Sequence, residues 1–188
     1  MTRSVGVRTL IRSRRALALA ALALAVPALA AAQAVTASSL KAAFMLNFAK
    51  FAEWPALDPD AAIVLCVAGD NVLADALEAT VRGQLIEAHP IRIVRLASDV
   101  APRACQVLFI AGRDDGRVSA LLEQAAGSPV LTVSDADRFA AGGGTIQLFV
   151  EGGRMRFAVN VDAAQRSKVR LSSRLLGLAK VVRDTHVQ

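Results

Sequence analysis

The chain has 188 residues, 54% of them hydrophobic, which suits a single domain with a sizeable core. It carries 22 Lys and Arg against 16 Asp and Glu, but five of the basic residues, Arg3, Arg8, Arg12, Arg14 and Arg15, lie at the extreme N-terminus. Taking those five from 22 leaves 17 basic against 16 acidic, and a near-neutral remainder gives no reason to expect nucleic-acid binding.

The basic N-terminus leads into an apolar run, Ala16 to Val26, too short to span a bilayer comfortably. Ala28-Leu-Ala30, Ala30-Ala-Ala32 and Ala32-Gln-Ala34 are small-x-small cleavage sites. The pattern predicts a secretory signal peptide over residues 1–32, cut between about 30 and 34, and a mature domain over 35–188. Arg14-Arg15 leaves a twin-arginine route open, but the plain Ala and Leu residues that follow favour ordinary secretion. No second apolar run reaches membrane-spanning length, so the mature chain is expected to be soluble in the periplasm, with no direct membrane insertion.

The first mature element is predicted from Lys41-Ala-Ala-Phe-Met-Leu-Asn-Phe-Ala-Lys-Phe-Ala-Glu-Trp-Pro55. It holds three of the seven Phe and the only Trp. Ser38 or Ser39 can cap a helix here and Pro55 can stop it. Phe44, Phe48 and Phe51 recur at helical spacing, so they are expected in the core. Asn47, Lys50 and Trp54 form a residual strip, free to face a second protomer or a partner.

Leu57 to Asp60 reads as a turn, and Ala61 to Ala68 as a central parallel strand, apolar throughout and ended by Gly69. Asp70 or Asn71 caps a helix through Thr80. Pro90 to Arg95 is a second strand, 98–102 a turn or short helix, and Cys105 to Ala111 a third strand ended by Gly112. Asp114 and Asp115 open another helix, and Val130 to Val133 is a fourth strand. This rhythm predicts an α/β fold, an open and mostly parallel doubly wound three-layer sandwich. Gly142 to Gly144 reads as a flexible connector. Thr145 to Glu151 and Arg154 to Asn160 then form a C-terminal β-hairpin at the sheet edge, turned by Gly152-Gly153. Arg154, Arg156 and Asn160 share its outward face. Ser172 to Val182 is expected to be an amphipathic helix.

Catalytic signatures are missing. The two histidines, His89 and His186, have no second ligand at metal spacing, and no serine-hydrolase, zinc-protease or phosphate-loop motif occurs. The expectation is a protein that is not an enzyme and holds no cofactor and no metal. Two cysteines, Cys66 and Cys105, would enter an oxidising compartment, where a bridge closing their loop contributes roughly 3–4 kcal/mol. Aligning the Gly-terminated ends of their strands, however, offsets them by about four residues, roughly 13 Å, too far for a bond. Spacing therefore favours two small buried hydrophobes, unless Cys105 precedes its strand and the chain folds back.

The Lys41–Pro55 stretch, together with Gly153-Arg-Met-Arg-Phe-Ala-Val-Asn160 and Leu171-Ser-Ser-Arg-Leu-Leu-Gly-Leu-Ala179, resembles the YfiR family of periplasmic proteins, in order and over essentially the whole mature chain. The resemblance implies a repressor that binds the periplasmic sensor domain of a membrane-anchored diguanylate cyclase, lowering cyclic di-GMP and biofilm growth. It also implies a homodimer, and it places Cys66 and Cys105 at positions that pair in relatives. A second cysteine pair found near the hairpin in some relatives is missing from Phe139 to Leu148. The tentative contact surface is then Asn47, Lys50, Trp54, Arg154, Arg156 and Asn160. The competing function is a periplasmic small-ligand-binding or accessory module for a transporter or sensor histidine kinase, with its site near Gly69, Gly112 and Ser134, at the carboxyl ends of the strands. A thiol-active enzyme ranks last, since no C-x-x-C occurs.

Overall fold

Strand β2 (Ile63–Ala68) is buried at every position, as its unbroken apolar run requires of a strand covered on both faces. The computed structural model describes residues 26–54, 57–97 and 101–184, with side chains from 37 onward. Most of the expected leader, Pro55, residues 98–100 of the expected turn, and His186 lie outside the described residues.

Around β2 the chain builds an eight-stranded sheet. Its members are β3 (Leu85–Ile86), β4 (His89–Arg95), β5 (Val107–Ile110), β6 (Leu131–Ser134), β7 (Ile146–Glu151), β8 (Arg154–Asn160) and β10 (Lys180–Val182). The spatial order is β10-β8-β7-β6-β5-β2-β4-β3. Strands β4, β2, β5, β6 and β7 run parallel, whereas β7–β8 and β3–β4 are antiparallel. A two-stranded ribbon pairs β1 (Ala52–Glu53) with β9 (Arg170–Leu171).

Helices cover both faces. Against one, α1 (Val26–Lys50) and α2 (Asn71–Val81) place Met45, Phe48, Leu73 and Leu77 on Leu65, Phe109, Leu131 and Phe157. Against the other, α3 (Asp115–Ala125) places Val118, Leu121 and Ala125 on Val64, Cys66, Leu108 and Ile110. This is the open doubly wound sandwich that the alternation of apolar strands and helices predicts. Asp70 caps α2 by accepting from the Leu73 N–H at 3.0 Å, and Asp114 caps α3 by accepting from Arg117 at 3.1 Å, which fixes both helix starts at strand ends. Residues Ser39–Gln188 make up one compact unit. No helix among the described residues is long and apolar enough to cross a membrane.

Several elements differ from the sequence expectation. Helix α1 passes through Ser38 and Ser39 without stopping, because the preceding alanine-rich residues are themselves strong helix formers. It ends at Lys50, where the chain turns into β1 before Pro55 is reached. The expected C-terminal helix is a single turn, α5 (Ser173–Leu176), followed by β10. Val181 and Val182 are β-branched and pair in parallel with Val159 and Asn160. The β7–β8 hairpin therefore sits one strand inside the sheet edge, with β10 outside it. Its turn is as expected: Gly152 and Gly153 both have positive φ, +57° and +72°, which a two-residue hairpin loop demands. The Gly142–Gly144 connector is held by its backbone. Gly142 and Gly144 N–H groups donate to Arg138 and Phe139 carbonyls at 2.8 and 3.0 Å, and the Phe139 ring occupies the space where a Gly144 side chain would go.

Candidate functional site

The disulfide is formed. Cys66 and Cys105 have Cα atoms 5.8 Å apart and are sealed in the α3-side core, each about 1% exposed. In the ladder Cys66 stands opposite Leu108, so simple strand rise would still put Cys105 roughly 10 Å away. The route is the fold-back that spacing left open. Cys105 lies before β5, at the end of a short 3-10 turn (Pro102–Ala104), and its N–H donates to the Pro102 carbonyl at 3.1 Å. That turn swings Cys105 over the sheet onto Cys66.

The six expected contact residues divide by burial. Asn47 and Lys50 are exposed on α1, and Lys50 donates to the Gln84 side chain at 3.1 Å. Arg154 and Arg156 are exposed on one face of the hairpin, with Arg156 4.0 Å from Glu151. Trp54 and Asn160 require correction, because both are interior. Asn160 is fully buried. Its Oδ1 accepts from the Asp162 and Ala163 N–H groups at 3.0 Å each, capping α4 (Val161–Arg166). Its Nδ2 donates to the Ala140 carbonyl at 2.7 Å and to Asp184 at 2.8 Å. A side chain so fully committed has nothing left to offer a partner. Trp54 is 8% exposed and packs into the core that Met45 and Phe48 build. Its indole Nε1 is buried without an acceptor among the described residues. Beside it is a hollow of about 220 Å³ bordered by Lys50, Glu87, His89 and Ser172.

Phe44, Phe48 and Phe157 form an aromatic triangle, with centroids 5.9, 5.9 and 5.1 Å apart, so the helix signature and the hairpin signature meet inside the protein. The two contacts to Phe157 are edge-on, and such contacts add about 0.5–1.5 kcal/mol each beyond area burial.

At the carboxyl ends of the strands, the three residues expected near a ligand are engaged internally. The Ser134 hydroxyl donates to the Ile110 carbonyl at 2.7 Å and accepts from the Ala136 N–H at 3.0 Å. A Cβ on Gly112 would come within 2.4 Å of the Ala136 backbone nitrogen, so this glycine serves a close approach of two chain segments. Gly69 packs toward the Ala111 side chain, 3.3 Å from where its own Cβ would lie.

Here the structure also shows a contact that the sequence reading left out. Asp135 accepts from the Gly112 N–H at 2.7 Å and from the Lys41 ammonium at 2.5 Å. Lys41 in turn lies 5.6 Å from the Phe109 ring centroid. Burial alone would raise the Asp135 pKa, but Lys41 and the Gly112 N–H outweigh it and hold the carboxyl below its ordinary value. This clamp ties α1 to the ends of β5 and β6. A charged residue on the buried side of an apolar helix was the available signal.

His89 points its Nδ1 at the Ala61 carbonyl, 2.8 Å away. No cluster of three His, Cys, Asp or Glu residues among the described residues could hold a metal. The arrangement is one of packing, caps and one disulfide, with exposed polar side chains on α1 and on the hairpin. The family model described as YfiR/HmsC-like (DUF4154) matches residues 38–180, which runs from within α1 to the start of β10 and includes the disulfide and the hairpin. The chain belongs to the YfiR/HmsC-like family.

Proposed function

We propose that this protein is an exported negative regulator. It binds the periplasmic sensor domain of an inner-membrane diguanylate cyclase, holds the cyclase inactive, and so lowers cyclic di-GMP signalling and biofilm formation. In this reading the leader over 1–32 directs export, the domain over 35–188 acts as a homodimer in the periplasm, and the protein catalyses no reaction. Family membership over residues 38–180 carries the proposal. The disulfide buried in the core supports it, since such bonds persist in oxidising compartments.

The contact surface assigned to the cyclase is the hairpin face of Arg154 and Arg156, with Asn47 and Lys50 on α1 as the second candidate patch. Both arginines are exposed, and Val150 beside them on the same hairpin is 70% exposed. Arginine at a protein interface offers a planar fork for partner carboxylates. Among the described residues Arg156 keeps only the loose Glu151 pair, so its reversal leaves the fold alone. Arg156→Glu is expected to relieve repression with no loss of thermal stability. Normal cyclic di-GMP suppression by that variant would remove the hairpin face from the interface. The wider reading is tested by affinity capture of the tagged protein from periplasm and by cyclic di-GMP levels in a deletion strain. Unchanged levels after deletion would count against a cyclase partner, and light scattering of the purified protein checks the dimer.

A further inference from the structure

We propose that the cleft between α3 and α4 is a binding site for a small, neutral, mostly apolar molecule carrying a carbonyl oxygen. The cleft encloses about 510 Å³, within the range typical of small-molecule sites. Its walls are apolar, formed by Leu122 and Ala125 of α3, Val130 before β6, and Ala163 of α4.

The polar chemistry lies at its buried end. Thr132 and Thr145 both line the cleft and are 4% and 2% exposed. Their hydroxyl oxygens are 3.1 Å apart, and Thr132 Oγ1 also accepts from the Thr145 N–H at 3.0 Å. Two hydroxyls carry two hydrogens, and one mutual bond uses one of them. Whichever threonine donates to the other, a second O–H is left, and no third group among the described residues accepts it. A buried donor of this kind calls for an acceptor from within the cleft.

Charge selects the class of acceptor. Arg166 borders the cleft but is ion-paired with Asp184, and Glu123 borders it too. The mouth therefore presents no uncompensated positive charge, and a carboxylate would meet Glu123 without compensation. A ketone, ester or lactone oxygen satisfies the free O–H at no charge cost, while its hydrocarbon body fills the walls. This site is separate from the hairpin face and does not depend on the cyclase reading.

The test is a fluorescence titration of the purified protein with prodan, a neutral apolar ketone whose emission shifts to the blue on leaving water. Saturable blue-shifted binding at one site per chain is expected. Thr145→Val should bind about as well as wild type, because Thr132 keeps its hydroxyl hydrogen free. The double variant Thr132→Val, Thr145→Val removes both hydroxyls and should bind roughly three- to ten-fold more weakly. Ala126→Phe, at an exposed position on the rim, should weaken binding without moving the thermal midpoint, and it decides the matter if the double variant fails to fold. In competition, acetylnaphthalene should displace prodan better than naphthoate. The proposal is overturned by an absence of saturable binding, by equal binding in the double and rim variants, or by stronger competition from the carboxylate.

Discussion

The Lys41–Asp135 clamp makes a prediction that joins structure to pH. Asp135→Asn keeps an oxygen for the Gly112 N–H but leaves Lys41 without its counter-charge. The two side chains are 18% and 31% exposed, between the surface pairs that contribute about 0–1 kcal/mol and the buried pairs whose breaking costs about 3–5 kcal/mol. An intermediate cost of about 2 kcal/mol is expected. For a domain of this size that lowers the melting temperature by about 4–8 °C. The Asp135 carboxyl is held below its ordinary pKa in the folded protein, so its contribution is present in full above the unfolded value near 4 and is lost as pH falls through the folded value. The difference in stability between wild type and Asp135→Asn should thus be constant from about pH 5 to 8 and close below about pH 4. Denaturant melts across that range measure it directly, and taking the difference cancels the other carboxylates. Equal stability at neutral pH would refute the clamp, and so would a gap that persists undiminished in acid. Lys41→Met gives an independent reading, since the Asp135 carboxyl should then titrate at higher pH by NMR.

Two further outcomes follow from the core. Replacing both Cys66 and Cys105 with Ala opens a loop of sequence separation 39 and should cost about 4 kcal/mol by chain entropy, read as a lower urea midpoint. An unchanged midpoint would mean that the bridge does not constrain the unfolded chain. Asn160→Ala removes the cap of α4 and leaves the Ala140 carbonyl without its buried donor, for a loss of about 3 kcal/mol. Asn160→Asp restores the cap but sets a carboxylate against Ala140 and Asp184, so it should recover only part of that loss.

The sheet was legible because its strands are signed by composition. Ile63 to Ala68 and Val107 to Ile110 are buried on both faces and read as unbroken apolar runs, while Leu131 to Ser134 is equally buried with its two hydroxyls, Thr132 and Ser134, hydrogen-bonded inside the protein. Long-range choices were not legible. Ser172 to Val182 has helical spacing of its apolar residues, yet the open edge of β8 offers backbone partners that favour strand at Val181. The Cys66–Cys105 bridge depends on a three-residue turn before β5, which strand register alone cannot supply. Asn160 was grouped with Arg154 and Arg156 by alternation, and alternation is right about the face. It fails to say that α4 and Asp184 cover the far end of that face while its turn end stays open.

That last difference bears on how a family signature relates to a binding surface. Phe44, Phe48, Trp54, Phe157 and Asn160 lie in the stretches that carry the resemblance, and all but Phe44 are buried, with Phe44 packed against the same cluster. Phe44 and Phe48 seat α1 on Phe157 of the hairpin and Asn160 caps α4, so these residues identify a fold and say little about what it binds. Under the proposed function, partner choice is assigned to side chains that the core does not dictate, such as the exposed Asn47, Lys50, Arg154 and Arg156. Such positions are free to change without loss of stability, because surface substitutions usually move it by less than about 0.5 kcal/mol. The same framework can therefore serve partners of different charge, and if the hairpin face is the proposed contact, its arginine pair would be matched by acidic groups on the partner.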